Sequence, residues 1–256
     1  MAFLARITLY PFKALDGQTV DNATILPSGA LQHDRRYALV DAAGRYINGK
    51  RTDKLHPIRS SFDPEHQRLE LVNHGELATF DVDEDREEIE QYFSLLMDER
   101  VRLLENRTHG YPDDTDAPGP TVISTATLET VASWFPDLTV DEARRRFRAN
   151  LEIGGVEPFW EDRLAGPAGE GVPLRIGKVT FAGVNPCQRC VVPSRDAHTG
   201  APWPGFQKTF AQQREKLLPA WATRSRFNHF YRLAINTRLA PDNPGGEIRC
   251  SEPVEA

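Results

Sequence analysis

Apolar and polar positions alternate in short runs through the first 80 residues, and the runs end at turn signals. Residues 6–12 (RITLYPF) alternate loosely and stop at Pro11, as a strand does. Residues 36–48 (RYALVDAAGRYIN) predict two strands joined by a tight turn at Asp41 to Gly44. Residues 68–72 and 77–82 flank Asn73-His74-Gly75, a second hairpin signal. Short strands at this regular spacing predict a barrel or a strongly curved sheet.

The period then changes. Ile89, Tyr92, Phe93, Leu96 and Met97 follow the i, i+3, i+4 rule of one helical stripe. Seven acidic residues lie within 81–90, and they read as a helix N-terminus with its solvated face rather than as a cation site. Residues 111–120 (YPDDTDAPGP) cannot build a helix or a central strand and mark a junction. Beyond it, Leu128, Val131, Ala132 and Phe135 predict a short helix stopped by Pro136. Thr139 and Glu142 form a capping box that opens another helix, with Ala143 and Phe147 facing inward. Residues 165–171 read as a loop, and 174–184 as a hairpin turning at Gly177-Lys178. Residues 206–217 read as a helix with Phe206, Phe210 and Leu217 on one side, and the tail after Pro241 as a Gly/Pro-rich stretch before a last strand.

Composition narrows the function classes. The 256 residues fit one large or two small domains, and 39% apolar content is enough for a core. The net charge of -6 argues against a general nucleic-acid or anionic-membrane binder, since both need a positive surface. No run of ~18 apolar residues exists, and Arg6 interrupts the N-terminus, so neither a membrane span nor a secretory signal is expected. Three cysteines, Cys187, Cys190 and Cys250, cannot make a disulfide framework, which leads to the expectation of a reduced, cytoplasmic setting.

The sharpest chemical feature is Cys187-Gln188-Arg189-Cys190 after a predicted strand. Thioredoxin-type chemistry needs such a pair to open a helix, and Val191-Val192-Pro193 is a poor helix start. A structural zinc site needs four ligands, and no second paired spacing supplies them. Two small thiols without a metal remain an open reading. The residues favour a single soft ligand, with Arg189 beside Cys190 to hold a thiolate. Lys13, Asp34-Arg35-Arg36 and Arg144 to Arg148 are donors that would suit a phosphate if they met in space.

The same residues resemble a known family. Cys187-x-Arg189-Cys190 followed by Asp196 and Thr199-Gly200 is similar to the signature of the MOSC domain. That domain occurs in molybdenum cofactor sulfurases and in the mitochondrial amidoxime reducing component with its bacterial relatives. Tyr10-Pro11-Phe12-Lys13 with Gly17 resembles the opening of the family's N-terminal β-barrel, and Asp34-Arg35-Arg36-Tyr37 through Gly44 resembles its hairpin. Ser124 to Leu128 and Phe147-Arg148-Ala149-Asn150 resemble two further segments, so the likeness covers nearly the whole chain.

The resemblance implies a β-rich α+β fold: an N-terminal β-barrel-like domain (1–110), then a MOSC β-barrel with surrounding helices (111–256). It implies a molybdenum cofactor, a metal–pterin with a phosphate at its far end, and no pyridoxal phosphate. Cys190 matches the metal ligand. Lys13, Arg35, Arg148 and Asn150 match cofactor-binding positions, with Gln188 beside the metal ligand. Asp196 matches an acidic position that is either a turn former or a catalytic proton donor. Ala14, Gln188 and Pro193-Ser194-Arg195 depart from the amidoxime reducers, and Arg195 adds positive charge on the substrate side. The implied activity is reduction of N-hydroxylated compounds such as amidoximes and hydroxylamines. The alternative is a cofactor carrier or sulfur-handling protein without turnover. No cysteine-rich segment for a 2Fe–2S cluster and no dinucleotide fingerprint is found, so a separate donor of ferredoxin or flavoprotein type is expected to act with a small-molecule substrate. Trp160, Trp203, His198 and Cys250 are read as packing or solvated residues.

Overall fold

A computed structural model describes residues 1–243 and 245–256. In chain order its elements are β1 (Phe3–Leu9), β2 (Gln18–Val20), β3 (Asn22–Ile25), β4 (Tyr37–Asp41), β5 (Arg59–Asp63), β6 (Arg68–Asn73), β7 (Glu76–Asp81), α1 (Arg86–Met97), β8 (Val101–Glu105), β9 (Val122–Ser124), α2 (Thr125–Ala132), α3 (Val140–Phe147), β10 (Leu151–Gly154), β11 (Val172–Ile176), β12 (Val179–Gln188), α4 (Phe206–Lys216), β13 (Arg232–Leu239), β14 (Gly246–Arg249) and β15 (Val254–Glu255). Three 3₁₀ turns occupy Trp160–Leu164, Val192–Ser194 and Arg224–Arg226.

The fold is α+β and β-rich, as the alternating pattern predicts. Among the described residues, however, no sheet closes into a barrel. The largest sheet runs β15-β11-β12-β13-β9-β10-β1-β2, and beside β15 the chain bonds back to β1 only through a single bridge, Phe3 to Pro253, and its flanking amides. Closure depends on pairing between strands far apart in the chain, and period-two alternation carries no information about that. Among the described strands only β9 and β10 run parallel; α2 and α3 make the crossover between them, as a parallel pair needs. β1 joins β10, and β14 joins β3, so the large sheet and the β3–β14 pair both draw strands from the two sides of residues 111–120. The predicted hairpins at 73–75 and 177–178 form in register. The 36–48 hairpin is shorter than predicted: its return arm is reduced to one bridge, Val40 to Tyr46.

Three apolar cores hold these layers. One lies under the large sheet, with Leu4, Ile7, Leu151, Ile153, Phe181 and Ile235 shut from solvent. A second packs α1, through Ile89, Phe93 and Met97, against Tyr37, Phe62, Leu69 and Leu103. The third is aromatic, between α2, α3 and α4, where the Phe135 and Phe206 rings stack at 4.2 Å. In α4 the buried face runs Phe206, Phe210, Arg214. Leu217, expected on that face, is 43% exposed because the helix ends at Lys216 and its cap swings outward.

Candidate functional site

Two chain segments resembling family motifs dock on each other at the floor of a large cleft. Phe12 is buried and stacks on Tyr37 at 4.6 Å, while the Lys13 amide donates to the Tyr37 carbonyl at 2.8 Å. The Tyr10 amide donates to Asp34 Oδ1 at 2.8 Å, and the Arg35 amide to the Tyr10 carbonyl at 2.7 Å. Arg35 adopts a left-handed conformation, φ +48°, which turns its guanidinium back over the Tyr10 ring. Gly110 fits beneath this turn because it has no Cβ: an added one would lie 2.5 Å from the Asp34 carbonyl oxygen.

Helix α3 brings the next donors. Its Thr139 cap accepts from the Glu142 amide at 3.1 Å, as the capping box predicts, and it ends on a left-handed Arg148, φ +52°. That twist sends Arg148 across the Tyr10 ring, 4.1 Å from its centroid, to the Leu15 carbonyl at 2.6 Å. Burial pulls the Arg148 guanidinium below its ordinary value; at Arg35 burial also acts to lower it, but Asp34, Asp113 and Tyr10 together outweigh burial and raise it. Burial also pushes the Tyr10 hydroxyl up to about 12, so it stays a neutral donor to the Ala149 carbonyl. Asn150, 2% exposed, ties the floor together: its Oδ1 accepts from Arg35 Nη1 and from the Thr121 amide and hydroxyl, and its Nδ2 donates to the Thr8 carbonyl.

Cys187 and Cys190 reach the same cleft, half-buried, at the end of β12. The β12–β13 register slips between Pro186 and Gln188, where Ala234 holds φ +66°, a bulge of the kind found next to functional sites. Arg189 and Arg146 staple this segment to α3. Arg189 Nη2 donates to the Phe147 carbonyl at 2.6 Å, and Arg146 donates to the Pro193 carbonyl at 3.2 Å and lies 3.8 Å from Asp196 Oδ2.

The cleft therefore gathers Lys13, Arg35, Arg148, Asn150 and Cys190, all proposed from the sequence. Three expectations need correction. Gln188 is exposed and does not line the cleft, because alternation along β12 puts Cys187 on the cleft face and Gln188 on the other, opposite Arg232. The Arg189 guanidinium meets the Cys187 sulfur at 3.0 Å rather than Cys190. Asp196, read as a turn former or a proton donor, is not among the cleft-lining residues and forms a turn. Its Oδ1 accepts from the His198 amide and from the Thr199 amide and hydroxyl, closing an Asx turn. Partial burial acts to raise the Asp196 carboxyl, but these donors and Arg146 outweigh it and hold it below the ordinary value, as a carboxylate.

Other lining residues had no local signal. Asp113 and Asp114 sit in the Pro/Asp-rich stretch read as a junction, yet Lys13 Nζ donates to Asp113 Oδ1 at 2.6 Å and to the Tyr111 carbonyl at 2.8 Å. Burial lowers the Lys13 ammonium and Asp113 pulls it partly back up. Asp113 is 70% exposed, so water screens the pair and its contribution to stability is small. His56, Arg59 and Asp16 were likewise not singled out.

Nine Lys and Arg side chains but only four Asp line the cleft, in a chain whose net charge is -6. Arg189 Nε and Arg195 Nε are buried without an acceptor. Such a donor set fits a polyanionic group that brings its own acceptors. Among the described residues no three His, Cys, Asp or Glu side chains gather to hold a metal, so the cysteine pair has no partners for a protein-built zinc site. Cys190 is a single thiol, suited to a metal that arrives already held by another ligand. Among the described residues no helix is long and apolar enough to cross a membrane.

A search of curated protein sequences finds no match. Two family models do match: the MOSC N-terminal beta barrel domain over residues 1–117 and the MOSC domain over residues 120–242. MOSC domains are associated with molybdenum cofactor binding and with sulfurase-like proteins. The cleft's thiol, its cationic floor and these two consecutive matches agree, and the chain belongs to the MOSC domain family.

Proposed function

We propose that the protein is a molybdenum-cofactor-dependent oxidoreductase that reduces N-hydroxylated compounds. The observation that carries this reading is the meeting of Cys190 with a surplus of Lys and Arg donors in one cleft of an otherwise acidic chain. Cys190 would ligate the metal. Lys13, Arg35 and Arg148 would neutralise the anionic end of the pterin, and Asn150 would hold Arg35 in place rather than bind directly, since its amide is already engaged. The cofactor, when bound, supplies a metal that exchanges electrons with the substrate. In the net reaction an amidoxime takes up two electrons and two protons, loses its N–O bond and leaves as an amidine and water. The electrons come from a separate electron-transfer protein of ferredoxin or flavoprotein type. The three free cysteines fit a reducing compartment, which supports a cytoplasmic setting.

The test is elemental analysis of protein purified from a host that makes molybdenum cofactor, followed by reduction of benzamidoxime with a chemically reduced viologen. Near-stoichiometric molybdenum with turnover is expected, and Cys190→Ser should lose most of the metal while Cys187→Ser keeps most of it. Equal losses in both variants, or zinc in the wild type, would overturn the redox reading. Molybdenum without turnover of any N-hydroxylated compound would favour a carrier role.

A further inference from the structure

The cations of the cleft fall into two groups with different neutralisation. Around Tyr10, Lys13 has Asp113 and Arg35 has Asp34. Where the loop over residues 48–59 meets residues 192–197, Arg59, Arg145 and Arg195 line the cleft, and Asp16 is the carboxylate hydrogen-bonded to two of them. Asp16 Oδ1 accepts from Arg59 Nη1 at 3.2 Å and from Arg145 Nη1 at 3.4 Å. Arg59 also donates to the His56 and Ala197 carbonyls, which ties this loop to the segment following Cys190. Arg195 forms no ion pair among the described residues; it donates only to the Gly200 carbonyl, at 3.0 Å, and its Nε is buried without an acceptor. Asp196 is spent on its own turn and on Arg146.

His56 reports the resulting field. Burial lowers its imidazole, and Arg195 and Arg59 lower it further, against the opposing Asp53 and Asp196. A charge surplus of this kind costs stability unless something negative arrives, and this part of the protein opens to the cleft. The cofactor's anionic end has its own donors around Tyr10, so the second group is left for another ligand.

We propose that Arg59 and Arg195, beside His56, together with Arg145, which shares Asp16 with Arg59, form a subsite for the anionic group of the substrate, so that the compound processed carries a carboxylate or a phosphate-like group. This rests on the reductase reading for its chemistry, while the subsite itself rests on the charges. Guanidinium pairs with such groups by parallel hydrogen bonds, and each charged hydrogen bond formed out of water discriminates by about tenfold against a neutral analogue.

The test is calorimetric binding to cofactor-loaded protein of benzamidoxime, 4-carboxybenzamidoxime and 4-phosphonobenzamidoxime, followed by turnover of each. At least one of the two anions is expected to bind about tenfold or more tightly than the neutral compound. Which anion binds more tightly distinguishes a carboxylate-bearing from a phosphate-bearing substrate. In Arg195→Gln the preference should fall toward one. In Arg145→Gln, a substitution at an exposed position that a folding defect will not confound, it should fall by a smaller factor. Equal binding of all three compounds by the wild type overturns the anionic subsite, even if benzamidoxime is reduced. An Arg195-dependent preference without turnover of any compound supports the subsite and sinks the reductase reading instead.

Discussion

Two regions of this molecule carry unbalanced charge, and they resolve it in opposite ways. In the third core, Glu161 and Asp162 share a single guanidinium, Arg214, and all three are at most 3% exposed. Glu161 Oε2 accepts from the Ser124 amide and the Thr127 hydroxyl, but its Oε1 and two nitrogens of Arg214 have no partner. Burial, with the adjacent Asp162, raises the Glu161 carboxyl to about 7. The sealed imbalance is thus settled by a proton. In the cleft the signs are reversed, with Arg59 and Arg145 sharing Asp16 and Arg195 in no ion pair among the described residues, and a guanidinium cannot shed its proton at working pH. An open surplus of that kind is available to a ligand instead. The difference shows that burial and access, more than the count of charges, decide whether a charged cluster is scaffold or site.

The contrast breaks most severely at Arg214. Arg214→Met leaves the buried Asp162 carboxylate, beside Glu161, without its cation and should cost about 3–5 kcal/mol in denaturant unfolding. A cost below about 1 kcal/mol would mean that water already reaches the cluster. Asn150→Ala comes next: it strips acceptors from Arg35 and Thr121 and a donor from the Thr8 carbonyl, with an expected loss of about 2–3 kcal/mol. Glu161→Gln sharpens the comparison through pH. The folded carboxyl titrates at about 7 against 4.5 for the ordinary group, so between those values the folded state holds a proton that the unfolded chain has released. That stabilisation is complete below 4.5 and disappears as pH rises through about 7. Measured from pH 4 to pH 8, the Gln variant should therefore gain on the wild type by about 3 kcal/mol, and a flat difference would place Glu161 in contact with solvent. The smallest effect belongs to the open cluster, where Arg145→Gln should change stability by less than about 0.5 kcal/mol.

Local grammar made much of the fold legible. The Thr139 cap of α3, the turns at 73–75 and 177–178, and the α1 stripe all formed where short-range rules place them, because each depends on neighbours within a few residues. Alternation could not say that β14 would pair with β3, since that contact spans more than 200 residues and leaves no local trace. The cleft divides in the same way. Lys13, Arg35, Arg148, Asn150 and Cys190 were found through motif likeness, and the structure brings them together. Gln188 failed because adjacent strand residues face opposite sides, and a motif read as a string ignores that. Arg59 and Asp16 looked like ordinary solvated charges.

By itself the sequence determined the element types, the β-rich α+β class, the family likeness and the chemical identity of the cleft's thiol and cations. These follow from residue type and short-range spacing, which the chain carries in one dimension. Only the tertiary structure decided that the sheets stay open, that Asp196 closes a turn as a carboxylate, and that Arg195 has no ion-pair partner among the described residues while Arg35 has Asp34. Each of these is a question of which groups meet, and of how much water remains between them, once distant segments have packed. Burial and pairing set the energy of a charge, and neither exists until the chain has folded.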